Sequence, residues 1–306
     1  MAQILSNCRK YRVYIMAFIV VIFWGSSFPA IKYCLDYYSP ESIMLFRFLT
    51  ASASLGIYYI ISKNPLPEKK DLPRLAIAGA VGIFVYMWLI NTGTSHVTAG
   101  LSSFIIGACP LATLLMSIVI LKERAGLLCW IGMLISFLGL VLIASTEAHG
   151  FSLNIGVVML IGAMLCTSAY NIFLRGKLRK YPPMVVTSFS MFFATAFMLI
   201  FTPGLVREFL TAPLAANMLC IYLGVFPAAL AYLLWNLALS SAEKTVHVTS
   251  FLYLVPFISA AMAYVWLGEI LKPAVVAGGV IIVLGMVLAN FRPAQNRPRH
   301  ACTGDR

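Results

Sequence analysis

Charged residues are scarce in this chain, and their scarcity excludes most soluble functions. Only 10% of the 306 residues are Asp, Glu, Lys or Arg, whereas 61% are hydrophobic. A soluble domain carries about a quarter of charged residues. The composition therefore predicts a membrane protein with no room for an extramembrane catalytic domain.

Reactive and metal-binding residues are also few and scattered. The four histidines form no cluster with acidic residues, and the seven cysteines show neither a disulfide framework nor a metal-ligand spacing. We therefore expect no catalytic residues, no metal and no cofactor, which disfavours a membrane-embedded enzyme. None of the ten acidic residues lies deep in an apolar stretch. An antiporter that exchanges protons for cationic drugs needs such a carboxylate. It is therefore the second function, after a membrane-embedded enzyme, that the sequence disfavours.

What the sequence does contain is ten long apolar stretches, numbered here as segments 1 to 10. Each has roughly 18 to 24 residues, enough to cross about 30 Å of hydrocarbon as a helix. Their approximate limits are 13–33, 41–62, 73–93, 97–120, 126–145, 152–174, 183–203, 216–240, 245–267 and 273–291. The longest connectors, around 63–72 and 203–215, are expected to be short turns that contain proline. The basic N-terminus followed by segment 1 also resembles a secretory signal, but the repeat described below needs segment 1 as a span.

The basic residues are distributed unevenly between the two sides of such a ten-span chain. Eighteen of the 22 lysines and arginines fall on one side, and only Lys32, Arg207 and Lys272 fall on the other. The positive-inside rule predicts that both termini are cytoplasmic, which requires an even number of crossings of the cytoplasmic membrane. The net charge of +12 is thus a feature of topology, and we expect no nucleic-acid partner.

Part of the sequence is repeated. Residues 99–143 align without a gap on 245–289 at an offset of 146, which pairs proline with proline, glutamate with glutamate and glycine with glycine. The pairs are Pro110 with Pro256, Glu123 with Glu269, Gly132 with Gly278 and Gly139 with Gly285. An offset of 145 pairs Gly79 with Gly224 and Asn91 with Asn236. We expect two five-helix repeats, at 1–145 and 152–291, and a flexible cytoplasmic tail at 292–306.

The number of segments in each repeat predicts how the repeats are oriented. Because five is odd, the second repeat enters the membrane from the side opposite to the first. A chain of two inverted repeats has a pseudo-twofold axis in the membrane plane, and exchange of conformations between the repeats produces alternating access. The expected fold is therefore an all-α membrane protein with ten transmembrane helices in two inverted repeats.

Several sequence strings resemble those of the EamA-type families of the drug/metabolite transporter (DMT) superfamily. They are WGSSFPAIK at 24–32, FRFLTA at 46–51, PLATLLMSIVILKE at 110–123 and PFISAAMAYVWLGE at 256–269. The resemblance implies a central cavity lined by segments 1 to 4 and 6 to 9, with segments 5 and 10 as peripheral supports. It also implies transport of small metabolites such as amino acids, most often export, with the lipid bilayer as the other partner.

Neutral polar and aromatic residues concentrate on the segments that would line such a cavity. The alternative interpretation is that these residues form hydrogen bonds between helices or lie in aromatic belts at the membrane interface. The candidate cavity residues, with two basic ones discussed next, are Trp24, Ser27, Arg47, Tyr86, Trp88, Asn91, Ser103, Tyr170, Asn171, Tyr232, Trp235, Asn236, His247, Ser250 and Tyr253.

Arg47 is the one charged residue predicted within a segment. An arginine there either snorkels to the membrane interface, binds an anionic group of the cargo or locks the outer gate. His247, near the start of segment 9, is either an ordinary interfacial residue or a titratable group beside the cavity.

The paired prolines and glutamates have structural and functional interpretations. Pro110 and Pro256 each remove one helical hydrogen bond, so they are either tolerated kinks or bends that make room for cargo. Glu123 and Glu269 follow segments 4 and 9 and are expected in the first turn of the next helix, where the helix dipole stabilises them. There they either close the hairpin or form a gate contact. The paired glycines of segments 5 and 10 are expected to allow close helix packing.

Overall fold

The computed structural model describes residues 2–62, 65–120, 126–145, 154–176, 180–241, 248 and 250–290. Within these ranges the secondary structure is helical and contains no strand. In the first half of the chain the α-helices are Ala2–Cys34, Pro40–Ser62, Leu72–Gly79, Tyr86–Ser95, Ala99–Gly107, Cys109–Ile120 and Leu127–Ser145. In the second half they are Ile155–Gly176, Pro183–Met198, Thr202–Thr211, Leu214–Leu223, Ala231–Ser241, Val255–Leu267 and Pro273–Asn290.

Apolar helices long enough to cross a membrane are present in both halves of the sequence. Among the residues that the structure describes, six helices satisfy that criterion by length and composition: Tyr11–Cys34, Pro40–Ser62, Lys69–Ser95, Ala99–Ile120, Pro183–Thr211 and Leu214–Ala238. Four further apolar helices are shorter: Leu127–Leu142, Ile155–Tyr170, Phe251–Leu267 and Pro273–Ala289. These properties are those of a multi-pass membrane protein.

Segments 3 and 8 both contain π-helical turns, at Ala80–Val85 and Gly224–Leu230. The two stretches are related by the offset of 145 that pairs Gly79 with Gly224. Pro227 lies inside the second one and lacks the N–H that a regular helix would use. Such π-turns widen a helix locally and often occur at functional sites. The shared position means that the repeat extends to a backbone irregularity that the sequence did not predict.

Segments 4 and 9 are also interrupted. The α-helix of segment 4 breaks at Ala108, two residues before Pro110. In segment 9 a 3₁₀ turn at Ser250–Leu254 precedes the helix that carries Pro256. The two segments cross at this level, because a Cβ on Gly107 would lie only 2.7 Å from Cγ of Pro256. The structure thus brings the two irregular stretches together, with Ala108 and Pro256 both buried.

One sequence expectation about the connectors was wrong. Residues 203–215 were expected to be a short turn containing proline, but Thr202–Thr211 is a helix that continues segment 7 after a 3₁₀ turn at Leu199–Phe201. Pro203 lies in the first turn of this helix, where its missing N–H costs nothing and its fixed φ favours the helix. In the connector 63–72, Lys69–Asp71 forms a 3₁₀ turn and Leu72 starts a helix.

Segments 5 and 10 pack directly against each other through the paired glycines. A Cβ on Gly139 would lie 2.7 Å from the carbonyl oxygen of Gly278, and one on Gly132 would overlap the backbone at Gly285 and Ala289. Midway between these contacts, the hydroxyl of Ser136 donates to the carbonyl of Ile282 at 3.0 Å. The close approach requires glycine because any side chain would push the backbones apart.

The helix bundle has two opposite ends, which differ in the charged residues that they carry. We call the end that carries Lys69, Lys70, Arg74 and Lys180 the basic face. The other end, called here the opposite face, carries Lys32, Ser39 and Glu269. The helix Pro40–Ser62 connects the two ends and is about 35 Å long at 1.5 Å per residue.

Candidate functional site

The guanidinium of Arg47 lies inside the helix bundle. Only 5% of the residue is exposed, its Nε has no hydrogen-bond partner, and its Nη1 meets the Sδ of Met87 at 3.8 Å. The groups within electrostatic range are the phenols of Tyr86, Tyr222 and Tyr232 and the thiol of Cys220. The structure therefore surrounds Arg47 with neutral groups from segments 3 and 8.

Aromatic side chains form a wall next to this arginine. The ring of Trp24 contacts Tyr232 edge-on at 5.6 Å and Trp235 at 5.3 Å between centroids. Its indole N–H donates to the carbonyl of Pro227 at 3.1 Å, inside the π-helical stretch of segment 8. The π-turn thus supplies a carbonyl that fixes Trp24 of segment 1 against segment 8.

Three tyrosines have the accessibility expected of cavity-lining side chains. Tyr86, Tyr170 and Tyr232 are deep within the protein, and yet each keeps some accessible surface. Tyr232 lies within electrostatic range of both of the other two. Together they bring segments 3, 6 and 8 close to one another near Arg47.

Other candidate residues have contacts that fasten helices together. Asn91 is fully buried and donates to the carbonyl of Pro40 at 3.2 Å. Its repeat partner Asn236 donates to the Sδ of Met184 at 3.8 Å. Asn91 thus joins segment 3 to the first turn of segment 2, and Asn236 joins segment 8 to the first turn of segment 7. Trp88 is partly exposed and donates to Glu41 at 2.8 Å, so its indole N–H points to the opposite face.

The remaining candidates lie either on the central segments or outside the residues that the structure describes. Ser27 is buried and donates to Phe23 of its own helix at 2.9 Å, and Ser103 donates to Gly100 at 2.6 Å. Tyr253 is partly buried and packs on the main hydrophobic core. Glu123 and His247 lie outside the described residues, as do the side chains of Pro110, Asn171 and Ser250.

Glu269 is not in the helix where the sequence placed it. The following helix begins only at Pro273, and both carboxylate oxygens of Glu269 instead accept from the backbone N–H of Ala99, at 2.9 and 3.2 Å. Ala99 is the first residue of the α-helix in segment 4, so the carboxylate stabilises the positive end of that helix. Gly268 makes this possible: with φ of 65° it turns the chain back after segment 9.

Lys32 binds the other side of the same hairpin and was not among the candidates. Its ammonium donates to the carbonyls of Thr94, Ser95 and Val97 at 3.0, 3.3 and 2.8 Å. These carbonyls follow the end of segment 3, where a cation is favoured by the helix dipole. Lys32 and Glu269 therefore clamp the hairpin 94–99 from two sides. Only the unusual position of Lys32 on the sparsely basic side could have singled it out.

The basic face has a separate group of ionic contacts. Lys180 lies 2.6 Å from both Glu68 and Asp71, and the Tyr181 hydroxyl donates to Asp71 at 2.8 Å. The hydrogen bond from Lys180 lowers the pKa of Glu68, and the contact with Asp71 raises the pKa of Lys180. These contacts join the connector before segment 3 to the connector before segment 7.

Two grooves on the surface are distinct from this central region. One, of about 370 Å³, runs between segment 2 and the helix Thr202–Thr211 and is almost wholly apolar. The other, of about 360 Å³, lies beside it near Ser39 and Gly204. Neither contains a candidate cavity residue. We place the site at Arg47 because the larger groove lacks the convergent polar groups that orient a small ligand.

Comparison with known proteins decides the family. The model of the EamA-like transporter family matches residues 11–145 and again 154–291. The chain belongs to the EamA-like transporter family of the DMT superfamily. It is thus a membrane transporter and not an enzyme. In the part of the chain that the structure describes, no group of His, Cys, Asp and Glu could hold a metal ion.

Individual relatives span almost the full length of this EamA-like transporter. It is 33% identical over 292 residues to the "Probable terminal-alkyne amino-acid exporter" of Streptantibioticus cattleyicolor, covering 94% of this chain and 96% of that one. It is 32% identical to the "Uncharacterized transporter YdfC" of Bacillus subtilis, covering 91% of each. A crystal structure 16% identical in sequence matches with a TM-score of 0.63 over 91% of this chain and 95% of the other, which shows likeness of fold alone.

Proposed function

We propose that this protein crosses the cytoplasmic membrane ten times and exports small metabolites, such as amino acids and related compounds, by alternating access. Its two five-helix repeats, 1–145 and 152–291, are inverted with respect to each other, and the basic face is cytoplasmic together with both termini. The concentration of lysine and arginine on that face supports the orientation.

The packing of segments 5 and 10 is the observation that carries the inverted arrangement. The offset of 146 makes Gly278 the counterpart of Gly132, and Gly285 the counterpart of Gly139. Across the interface, however, Gly132 meets Gly285 and Gly139 meets Gly278. Such reciprocal contacts are those of an antiparallel pair related by a twofold axis. Equivalent helices that run antiparallel support repeats that enter the membrane from opposite sides.

The clamp formed by Lys32 and Glu269 supports alternating access. Glu269 belongs to the second repeat and Ala99 to the first, so their contact joins the repeats at the opposite face. Lys32 adds a contact between segment 1 and the hairpin that links segments 3 and 4. We infer that these contacts break when a path opens from Arg47 to the opposite face, and that the clamp is the outer gate in its closed state.

The export function is tested by comparing metabolites inside and outside cells. Cells that lack the gene should accumulate a small amino acid or related compound in the cytoplasm, and cells that overproduce the protein should release it. A matched strain that overproduces an unrelated membrane protein to the same level controls for the effect of overproduction. Identical metabolite profiles in all strains, with the wild-type protein present in the membrane, would contradict the proposal.

A further inference from the structure

Arg47 has a buried charge without a counter-ion. The described acidic residues with a hydrogen bond or an ion pair are engaged at the two faces: Glu41 by Trp88, Glu68 and Asp71 by Lys180, Glu208 by Ser39 and Glu269 by Ala99. The exposed Asp36 lies beyond the end of segment 1. Among the described residues, no carboxylate neutralises the guanidinium. An uncompensated buried charge is strongly unfavourable.

Snorkelling does not explain this arginine. Arg47 is seven residues into the helix that starts at Pro40, which is about 10 Å along the helix axis. A snorkelling side chain extends its charged head to the interface and keeps that head hydrated. The Nε of Arg47 is instead buried and without a partner. The side chain is directed into the bundle, between segments 2, 3 and 8.

We propose that Arg47 binds the carboxylate of the exported substrate, which is a small monocarboxylate with an apolar side chain, such as an apolar amino acid. This inference rests on the proposed export function and specifies its substrate class. The planar guanidinium presents parallel N–H donors that match a carboxylate in a bidentate pair. One guanidinium balances one carboxylate, whereas a phosphate dianion would leave one negative charge unpaired; the ammonium of an amino acid falls to the aromatic rings described next.

The surroundings of Arg47 select the rest of the substrate. Tyr86 and Tyr232 present neutral hydroxyl groups near the guanidinium, which can donate to the carboxylate oxygens. Beyond Tyr232 lie the rings of Trp24 and Trp235. These rings offer a large apolar surface to a side chain, and their faces attract an ammonium group through cation–π interaction. An acidic second charge on the substrate would meet no basic partner on this wall.

Binding to purified protein tests this assignment. The wild type, Arg47→Lys, Arg47→Gln and the matched control Arg207→Gln, at an exposed arginine, are compared in lipid nanodiscs. The probes are a panel of apolar L-amino acids, the corresponding amino-acid amides, the deaminated carboxylic acids and sodium chloride. Thermal unfolding with increasing probe concentration gives apparent affinities, and flux into proteoliposomes gives transport.

We expect a carboxylate-containing probe to stabilise the wild type and Arg207→Gln, and its amide to bind at least tenfold more weakly. Arg47→Gln should lose at least tenfold in affinity for the acid while the affinity for the amide changes little. The affinity of Arg47→Lys for the acid should lie between those of the wild type and Arg47→Gln, because lysine keeps the charge but not the bidentate geometry. Without any probe, Arg47→Gln should unfold at the same temperature as the wild type or higher, since it removes an uncompensated charge.

Several results would overturn the assignment. Among them are equal affinity of Arg47→Gln and wild type for the acid, equal binding of acid and amide by the wild type, and a lower unfolding temperature of ligand-free Arg47→Gln. Protection by chloride alone would equally overturn it, since that indicates a simple anion site. If Arg47→Gln still transports amino acids like the wild type, the export function stands and only this assignment fails. If the wild type neither binds nor transports any probe, the proposed function fails with it.

Discussion

Ser136 donates a hydrogen bond to the carbonyl of Ile282 at 3.0 Å, and Ile282 is the residue that the offset of 146 makes the counterpart of Ser136. A residue meets its own counterpart only where a twofold axis passes between them. The axis that relates the two inverted repeats proposed above then passes through the contact of segments 5 and 10, with their paired glycines on both sides of it.

Gly132→Ala should destabilise the protein, because the added Cβ would overlap the backbone at Gly285 and Ala289. Forcing a methyl group into such a contact costs about 1–3 kcal/mol. The amount of folded protein in the membrane and its unfolding temperature should both fall. Gly56→Ala is the control, because a Cβ there would meet nothing within 4 Å and alanine favours the helix. Equal stability of the two variants would argue against the close packing.

Cys34 and Cys220 should form a disulfide when membranes are treated with a copper–phenanthroline oxidant. Their sulfur atoms are 3.7 Å apart, although the residues belong to segments 1 and 8. Mass spectrometry of the digested protein should detect the linked peptides in the wild type and not in Cys34→Ser. The partly buried Cys129 and Cys166 provide an internal comparison. A wild-type protein that yields no 34–220 link would contradict the observed packing of these segments.

Glu269→Ala should loosen the proposed outer gate by removing the carboxylate that caps the helix of segment 4. Loss of a helix cap costs about 0.5–2 kcal/mol. In a background without other cysteines, Val97→Cys should then react faster with an impermeant thiol reagent in intact cells, since Val97 is only 5% exposed in the closed hairpin. Asp36→Asn, an exposed acid on the same face, should leave the rate unchanged. Identical labelling rates in both variants would exclude a gating role for Glu269.

The contacts at the basic face predict a dependence of stability on pH. Because the pKa of Glu68 is lowered in the folded protein, the contribution of the pair is present above the ordinary pKa of glutamate and is lost as the pH falls through the lowered value. Lys180→Gln should therefore lower the unfolding temperature at pH 7, and the difference from the wild type should shrink only below the ordinary pKa of glutamate. Part of the difference should remain down to a pH of about 2, because Lys180 also pairs with Asp71, whose pKa is lowered to about 2. A difference that stays constant from pH 7 to about pH 3 would contradict the role of Glu68.

The positions of the helices could be predicted from the sequence, because the length of an apolar run is a local property. Contacts between residues that are far apart in the sequence could not be predicted in this way. Glu269 was expected to start the next helix, but its partner Ala99 lies 170 positions away, and only the crossing of segments 9 and 4 brings them together. The helix at Thr202–Thr211 was missed because Pro203 signals a turn as well as a helix start.

The candidate site was predictable in its residue types more than in its arrangement. Arg47 is conspicuous in any list of the apolar segments, and the tyrosines around it were expected on segments 3, 6 and 8. Asn91 and Asn236 were chosen by the same polarity, yet their side chains reach Pro40 and Met184. Polarity alone does not distinguish a residue that lines a cavity from one that fastens two helices, since both are buried among apolar neighbours.

Counterflow across proteoliposome membranes tests the central claim most directly. Vesicles that contain the purified wild type are loaded with an unlabelled apolar amino acid and diluted into a trace of the same labelled compound. Alternating access predicts a transient accumulation of label above its outside concentration, because loaded carriers return carrying the labelled molecule. Arg47→Gln should abolish this overshoot. Label that enters only to equilibrium, at a rate independent of the internal amino acid, would indicate a channel and contradict the account.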